Sequence, residues 1–368
     1  MKVLISGGGT GGHIYPAIAI ANKIREEIKG VEILFVGTKK GLESELVPKA
    51  GYKLETITVS GFKRKLSIDT FSSIKDLFLG IKDATKIIRK FKPDLVIGTG
   101  GYVCGPVVFI ASLLNVKTVI HEQNVIPGMT NKILSKFVNK ILVSFEESKE
   151  YFGNNNKIVV TGNPVRKDFI DVDKKGCRKV LGIDDDSFVV MTFGGSRGAK
   201  KINETMAKVL RKFNGRKDIR LILVTGSKHY EPILKMINKN NFKMKDNIIV
   251  MEYVHDMAKY MGASDLVMCR AGAITLAEVT AMGLPTVLIP SPYVANNHQE
   301  FNAKVLEKNG ASVLLPEKEL TDRNIINLLN SLLNDEKRLK EMEAKSKELS
   351  KPNATDMIYT NILNLIKS

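Results

Sequence analysis

The 368-residue chain has no tryptophan, three cysteines and only five histidines. Cys104, Cys177 and Cys269 are odd in number and far apart. That fits a reducing compartment and leaves no paired thiols for a zinc knuckle. No H-x-x-x-H, H-E-x-x-H or C-x-x-C occurs, so neither a metal site nor a metal cofactor is expected. No G-K-[ST] completes a P-loop, which argues against ATP hydrolysis. No run approaches the roughly 18 apolar residues that span a bilayer, and the glycines soon after Lys2 leave no room for a secretory signal. A cytosolic protein is expected. Acids are also scarce beside bases, 39 against 56, for a formal net charge of +17. No recognition helix, zinc finger or RNP-type motif accompanies that charge, so nucleic acid is not the expected partner. A pyrophosphate or an anionic membrane surface would want the same sign.

What the chain does have is glycine, placed in loops. Lys2 to Ser6 is an apolar run, followed by Gly7-Gly8-Gly9-Thr10-Gly11-Gly12-His13 and then a helical pattern from Pro16. Ala17, Ala21, Ile24 and Ile28 share one helical face. Strand, glycine loop and helix N-terminus in that order make a phosphate cradle. Gly7, Gly9 and Gly12 also satisfy G-x-G-x-x-G, the dinucleotide fingerprint. That fold wants an acid at the tip of the second strand. Here the strand ends in Gly37-Thr38-Lys39, with Glu32 inside it. A phosphate loop is favoured over NAD binding.

Apolar β-like runs alternate with helical stretches throughout, the pattern of βαβ units and parallel sheets. Runs fall at Val3–Ser6, Ile33–Gly37, Leu95–Gly98, Thr118–His121, Lys140–Val143 and Ile158–Thr161. After Pro164 the series restarts, with Val189–Phe193, Arg220–Thr225, Ile248–Met251, Leu266–Cys269, Thr286–Pro290 and Ser312–Leu315. Gly194-Gly195-Ser196-Arg197-Gly198-Ala199 repeats the opening device. The fold class is therefore α/β, two doubly wound Rossmann-like domains in tandem. The expected division is 1–162 and 163–351, with a terminal helix over 352–368 returning to the first domain. Ligands of such sheets bind beyond the strand C-termini, so facing edges would form an interdomain cleft.

Between Gly61 and Pro93 nine Lys/Arg stand against three Asp. Phe71, Ile74, Leu77, Phe78 and Ile81 recur there at three- and four-residue spacing, beside Lys63-Arg64-Lys65. The stretch reads either as an interfacial helix or as a helix packing its stripe on the sheet.

Other strands also empty into polar or small-residue loops. Leu95–Gly98 leads to Thr99-Gly100-Gly101-Tyr102-Val103-Cys104-Gly105-Pro106, and Val119-Ile120 leads to His121-Glu122-Gln123-Asn124. A histidine and a carboxylate at a strand end suit acid–base work, though His121 alone reads as structural. Cys269 to Glu278 is a strand end, a small-residue loop and a helix start. Phosphates suit that helix N-terminus, and Glu278 suits either a ribose diol or the helix dipole. His298-Gln299-Glu300 starts a further helix on the same edge. Asp171-Val172-Asp173 imitates the metal-binding D-x-D but follows a helical turn and reads as surface.

Taken together, Gly8 to His13, Gly100 to Pro106, His121 to Asn124, Gly162-Asn163-Pro164-Val165-Arg166, Gly194 to Ala199, Cys269 to Glu278 and His298 to Ala303 resemble the MurG family in order and spacing. Those bacterial GT-B glycosyltransferases move N-acetylglucosamine from UDP-N-acetylglucosamine to lipid I, giving lipid II for peptidoglycan. The resemblance implies an inverting transferase with no cofactor, working peripherally at the cytoplasmic face of the cell membrane. It implies His13 as general base, with Glu122 the second catalytic candidate and Tyr102 and Glu122 on the acceptor side. Donor contacts would come from Thr10, Gly11, Gly12, Asn124, Arg166, Ser196, Val254, Gln299 and the run Ala273, Ile274, Thr275, Leu276, Ala277, Glu278. The acceptor, undecaprenyl-pyrophosphoryl-MurNAc-pentapeptide, sits in a membrane, which would give Phe71, Ile74, Phe78, Ile81 and Lys63 to Lys65 a docking role. Cys104 and His298 depart from the family's usual residues. A diacylglycerol glycolipid synthase, a UDP-sugar epimerase and a non-catalytic binding protein are the rival readings.

Overall fold

The computed structural model describes residues 1–61, 68–153 and 156–367, and of residues 68–74 and 240 the backbone alone. It divides into two compact units, Met1–Pro164 with Lys351–Ser368, and Val165–Ser350. The divisions fall at Pro164/Val165 and Ser350/Lys351 rather than after 162 and 351. The reason is local: Gly162 and Asn163 are tied into the first unit. His121 Nε2 donates to the Gly162 carbonyl at 3.0 Å, and Asn163 Nδ2 donates to the Gln123 carbonyl at 3.0 Å. Lys351 lies against Gly162, where a Cβ would come within 2.8 Å of its own.

In unit 1 seven strands form one parallel sheet: β1 (Lys2–Gly7), β2 (Glu32–Gly37), β3 (Lys53–Thr56), β4 (Leu95–Gly100), β5 (Lys117–Glu122), β6 (Lys140–Val143) and β7 (Ile158–Val160). Their order is β3-β2-β1-β4-β5-β6-β7. Helices cover both faces, so the central strands are apolar along their length; every residue of β4 is buried. The edge strand β3 has no counterpart among the expected runs, because Lys-Leu-Glu-Thr buries neither face fully. Helix Ala354–Lys367 returns to this unit. Ile358 and Ile362 are buried among Val3, Ile5, Ile20 and Ile24, and Lys23 pairs with Asp356 at 2.7 Å.

Unit 2 holds β8 (Phe188–Phe193), β9 (Ile219–Val224), β10 (Ile248–Met251), β11 (Leu266–Cys269), β12 (Thr286–Leu288) and β13 (Ser312–Leu314). Their parallel order is β10-β9-β8-β11-β12-β13. Both sheets therefore reverse direction between their first and fourth strands, β1/β4 and β8/β11. The crevice at such a switch point is where open α/β sheets take ligands. Each switch point carries the glycine-rich loops singled out above.

Candidate functional site

In unit 1, three strand ends meet at the switch point. β1 ends at Gly7, and helix Gly11–Glu27 starts directly after Thr10, whose extended backbone (φ −143°, ψ 155°) serves as the N-cap. The helix thus begins five residues before Pro16. His13 sits in its first turn, half-buried, with exposed Gly12 before it. Its Nδ1 lies 2.9 Å from the Gly8 carbonyl oxygen and 3.3 Å from Thr10 Oγ1. A carbonyl can only accept, so Nδ1 carries the hydrogen. In the neutral ring Nε2 then has the free lone pair. The β4 loop crosses closely: Gly8 N donates to the Gly100 carbonyl at 3.3 Å. Gly100 (φ +104°) lies so near the imidazole that a Cβ there would be 3.1 Å from Nε2. Thr99 Oγ1 donates to the His13 carbonyl at 2.8 Å, fixing the helix start to β4. The Tyr102 ring stands over Gly9.

The polar residues after β5 have structural partners. His121 is fully buried between Gly162 and Gln123, and burial pushes its pKa down to about 4, so it stays neutral. Glu122 is 2% exposed. One oxygen accepts from Asn124 N at 3.1 Å and Asn124 Nδ2 at 3.3 Å; the other accepts from Gly128 N at 3.1 Å and Asn131 Nδ2 at 2.8 Å. Four donors on one buried carboxylate make it an organiser of the Gln123–Gly128 loop. Asn124 is held by the same carboxylate. The catalytic role expected of Glu122 is set aside on this geometry. Asn131, which sequence reading passed over, completes the cluster.

Sequence reading also missed Glu43, the first residue of helix Glu43–Lys49 and fully buried. Its carboxylate accepts from Gly9 N at 3.1 Å, Thr38 N at 3.0 Å and Thr38 Oγ1 at 2.7 Å. Side chains on Gly8, Gly37 or Gly41 would strike that carboxylate or its stem. The acid sought at the tip of β2 stands six residues further on and turns inward, onto the loop itself. The opening loop therefore already holds an anion at Gly9, which corrects its reading as an open phosphate cradle. The one signal in sequence was an acid a few residues beyond the strand end, after Gly37 and Gly41.

In unit 2 the Gly194–Ala199 loop is equally crowded. A Cβ on Gly194 would lie 2.4 Å from Ala199 N, and one on Gly198 (φ +71°) 1.9 Å from the Thr225 carbonyl. The helices Lys200–Phe213 and Ala273–Ala281 both begin at the β8/β11 switch point, bringing two positive dipole ends there. Between them lies a cavity of about 510 Å³ reached by Gly195, Lys200, Arg270, Thr275, Ser291 and Gln299 among others. Gln299 is oriented by Ser291 N, which donates to its Oε1 at 2.8 Å. Arg270 donates to the carbonyls of Ile289 and Pro290, each at 3.0 Å, and pairs with Glu317. That half-buried pair braces the cavity wall and was not among the expected site residues. Ser196 is exposed on the loop. Within the Ala273–Ala281 helix Thr275 lines the cavity, with Ile274 and Ala277 half-buried. Leu276 has nothing to offer a ligand: its side chain is 1% exposed and its N–H is bonded to the Gly272 carbonyl at 2.9 Å.

The lining stops short of Arg166, Glu278 and Val254. Arg166 and Glu278, expected to hold different parts of one ligand, are themselves paired, Nε to Oε1 at 3.3 Å. Arg166 also lies over the Phe169 ring, 4.4 Å from its centroid. Burial raises the Glu278 pKa to about 7, against the opposing pull of Arg166. Val254 is buried between Tyr253 and His255, whose rings pack at 5.0 Å.

On the basic helix Ile68–Phe91, Phe78 is 68% exposed, while Ile81 packs on the unit 1 core. Lys63, Arg64, Lys65 and the side chains of Phe71 and Ile74 lie outside the described residues. No helix among the described residues is long and apolar enough to cross a membrane.

Comparison with known proteins adds an independent line. Residues 3–143 match the N-terminal domain of glycosyltransferase family 28, and residues 189–358 match its C-terminal domain. The chain is 50% identical, over 100% of both sequences, to the UDP-N-acetylglucosamine–N-acetylmuramyl-(pentapeptide) pyrophosphoryl-undecaprenol N-acetylglucosamine transferase of a Thermoanaerobacter species, strain X514. Among solved structures, Acinetobacter baumannii MurG matches with a TM-score of 0.78 and 28% identity over 99% of each chain. The UDP-GlcNAc 2-epimerase of Neisseria meningitidis matches with a TM-score of 0.69 at 15% identity, over 99% of this chain and 100% of that one, a likeness of fold alone.

Proposed function

This chain belongs to glycosyltransferase family 28, and on that premise we propose that it transfers N-acetylglucosamine from UDP-N-acetylglucosamine to lipid I. The product is lipid II, the peptidoglycan precursor. The carrying observation is the full-length 50% identity with a transferase of that activity, which leaves neither half of the chain unaccounted for.

The chemistry follows from the parts. Unit 1 supplies the acceptor half. Nε2 of His13 accepts the proton of the muramyl 4-hydroxyl, which attacks the anomeric carbon from the face opposite UDP, and configuration inverts. Unit 2 supplies the donor half. Charge gathers on the departing diphosphate, so helix N-termini at Lys200 and Ala273, loop amides and Arg166 favour the transition state over the ground state. Gln299 holds sugar hydroxyls, Glu278 the ribose diol, and the Val254 backbone the uracil. Thr10, Gly11, Gly12 and Asn124 are the unit 1 residues assigned to the donor, and Tyr102 is assigned to the acceptor. The protein docks at an anionic membrane surface, on its cytoplasmic face, where the lipid-anchored acceptor resides.

Purified protein with radiolabelled UDP-N-acetylglucosamine and a short-chain lipid I analogue tests this directly. Acceptor-dependent transfer is expected, and His13→Ala should lower turnover about 10²- to 10⁴-fold, the usual worth of a general base. Label that never reaches the acceptor, with the donor epimerised instead, would replace the transferase assignment.

A further inference from the structure

Glu43 and His13 are joined through a single peptide group. The N–H of the Gly8–Gly9 peptide donates to Glu43 Oε2 at 3.1 Å, and the carbonyl of that same peptide accepts from His13 Nδ1 at 2.9 Å. Carboxylate, peptide and imidazole thus form one hydrogen-bonded line, with all donors pointing the same way. We propose that Glu43 is a positioning residue for the transfer reaction: through the Gly8–Gly9 peptide it fixes the Nδ1–H tautomer and the orientation of His13. This rests on the reading of His13 as base.

Hydrogen bonds in series polarise one another. A carboxylate drawing on the N–H makes the Gly8 oxygen a stronger acceptor, which favours the hydrogen on Nδ1 and leaves Nε2 to take a proton. In serine-protease triads an aspartate does this for its histidine by direct contact. Here the peptide is interposed. Glu43 takes no proton itself: Nδ1 keeps its hydrogen, and the imidazolium formed at Nε2 meets an aligned dipole and charge. The fold makes room for this contact. Gly8, Gly37 and Gly41 all lack side chains where a Cβ would lie 2.2 to 2.7 Å from a Glu43 side-chain atom. No cation is recorded against the carboxylate among the described residues; its partners are the loop amides and Thr38. Glu43 faces the loop rather than solvent, so ordinary helix-start acidity does not explain its burial.

Glu43→Gln keeps the shape and removes the charge. An amide can offer an oxygen to Gly9 N or to Thr38 N, but not to both, because its NH₂ faces the other donor. Histidine-selective ¹⁵N labelling of the full chain reads the His13 tautomer, its signal identified by loss in His13→Ala. Expected in Glu43→Gln are a new Nε2–H population at His13, a kcat lowered about 10- to 100-fold and a donor KM within about twofold of wild type. The kcat loss should vanish in the His13→Ala background. Thr38→Val, which deletes a Glu43 contact but leaves Gly9 N bonded, should leave the tautomer alone. An unchanged tautomer in Glu43→Gln, or equal effects from Glu43→Gln and Thr38→Val, would overturn the proposal. Wild-type turnover in His13→Ala would instead remove the base reading and with it the catalytic purpose of the link, and the tautomer spectrum would still decide the link itself.

Discussion

Glu278 is held part-way between charged and neutral near pH 7, because burial favours the acid and Arg166 favours the anion. Arg166 is about half exposed, so solvent screens its share. The folded pKa of about 7 lies above the ordinary 4.5. Across that window the folded chain keeps a proton the unfolded chain has released. This group's contribution to stability is therefore full below about pH 4.5 and is lost as pH rises through about 7. On the proposed ribose contact, donor binding runs the other way, since a diol donates best to the anion. Titration calorimetry should show UDP-N-acetylglucosamine binding tighten severalfold from about pH 6 to about pH 8. Glu278→Gln should bind weakly at every pH and lose that dependence. A wild-type affinity flat across this range would remove Glu278 from the ribose. The pairing with Arg166 was not legible in sequence, where 112 positions separate the two.

At the scale of elements the sequence was most informative where hydrophobic runs were long and buried on both faces. β1, β4, β5, β8 and β11 lie where the apolar runs fell, because doubly covered parallel strands have no polar alternation to confuse. It was least informative where burial is partial, as in β3. The glycine loops were visible as composition, but not which groups fill them. Gly8 read as freedom for a phosphate, when it makes room, with Gly37 and Gly41, for Glu43. Glu122 shows the same limit, since nothing local revealed that Asn124, Gly128 and Asn131 would all point at it. The basic helix carries a prediction of its own. Phe78 is exposed between Lys75 and Lys82, both also exposed. A phenylalanine entering a lipid interface contributes about 1.5–3 kcal/mol. Phe78→Asp should weaken sedimentation with phosphatidylglycerol vesicles at least tenfold while donor binding persists, and raised salt should weaken the wild type in the same direction. Unaltered vesicle binding would leave that face without a membrane role.

For the whole molecule, the decisive feature is that unit 1 is built from two separated stretches of chain. Ile358 and Ile362 close the face formed by Val3, Ile5 and the helix Gly11–Glu27. Losing both would cost about 3–6 kcal/mol of burial, a large part of a domain's usual stability. A chain ended at Ser350 should retain donor binding while limited proteolysis digests unit 1 and leaves unit 2. Equal resistance of both would show that unit 1 stands without its last helix. During synthesis the same feature sets an order of events. Residues 165–350 leave the ribosome before 351–367, and at about 5–20 residues per second that interval lasts about 10–40 s. For that time nascent unit 1 is an open sheet with an uncovered apolar face, while unit 2 can already have folded. Chaperone demand should therefore fall on residues 1–164 until the helix Ala354–Lys367 has emerged to cover them.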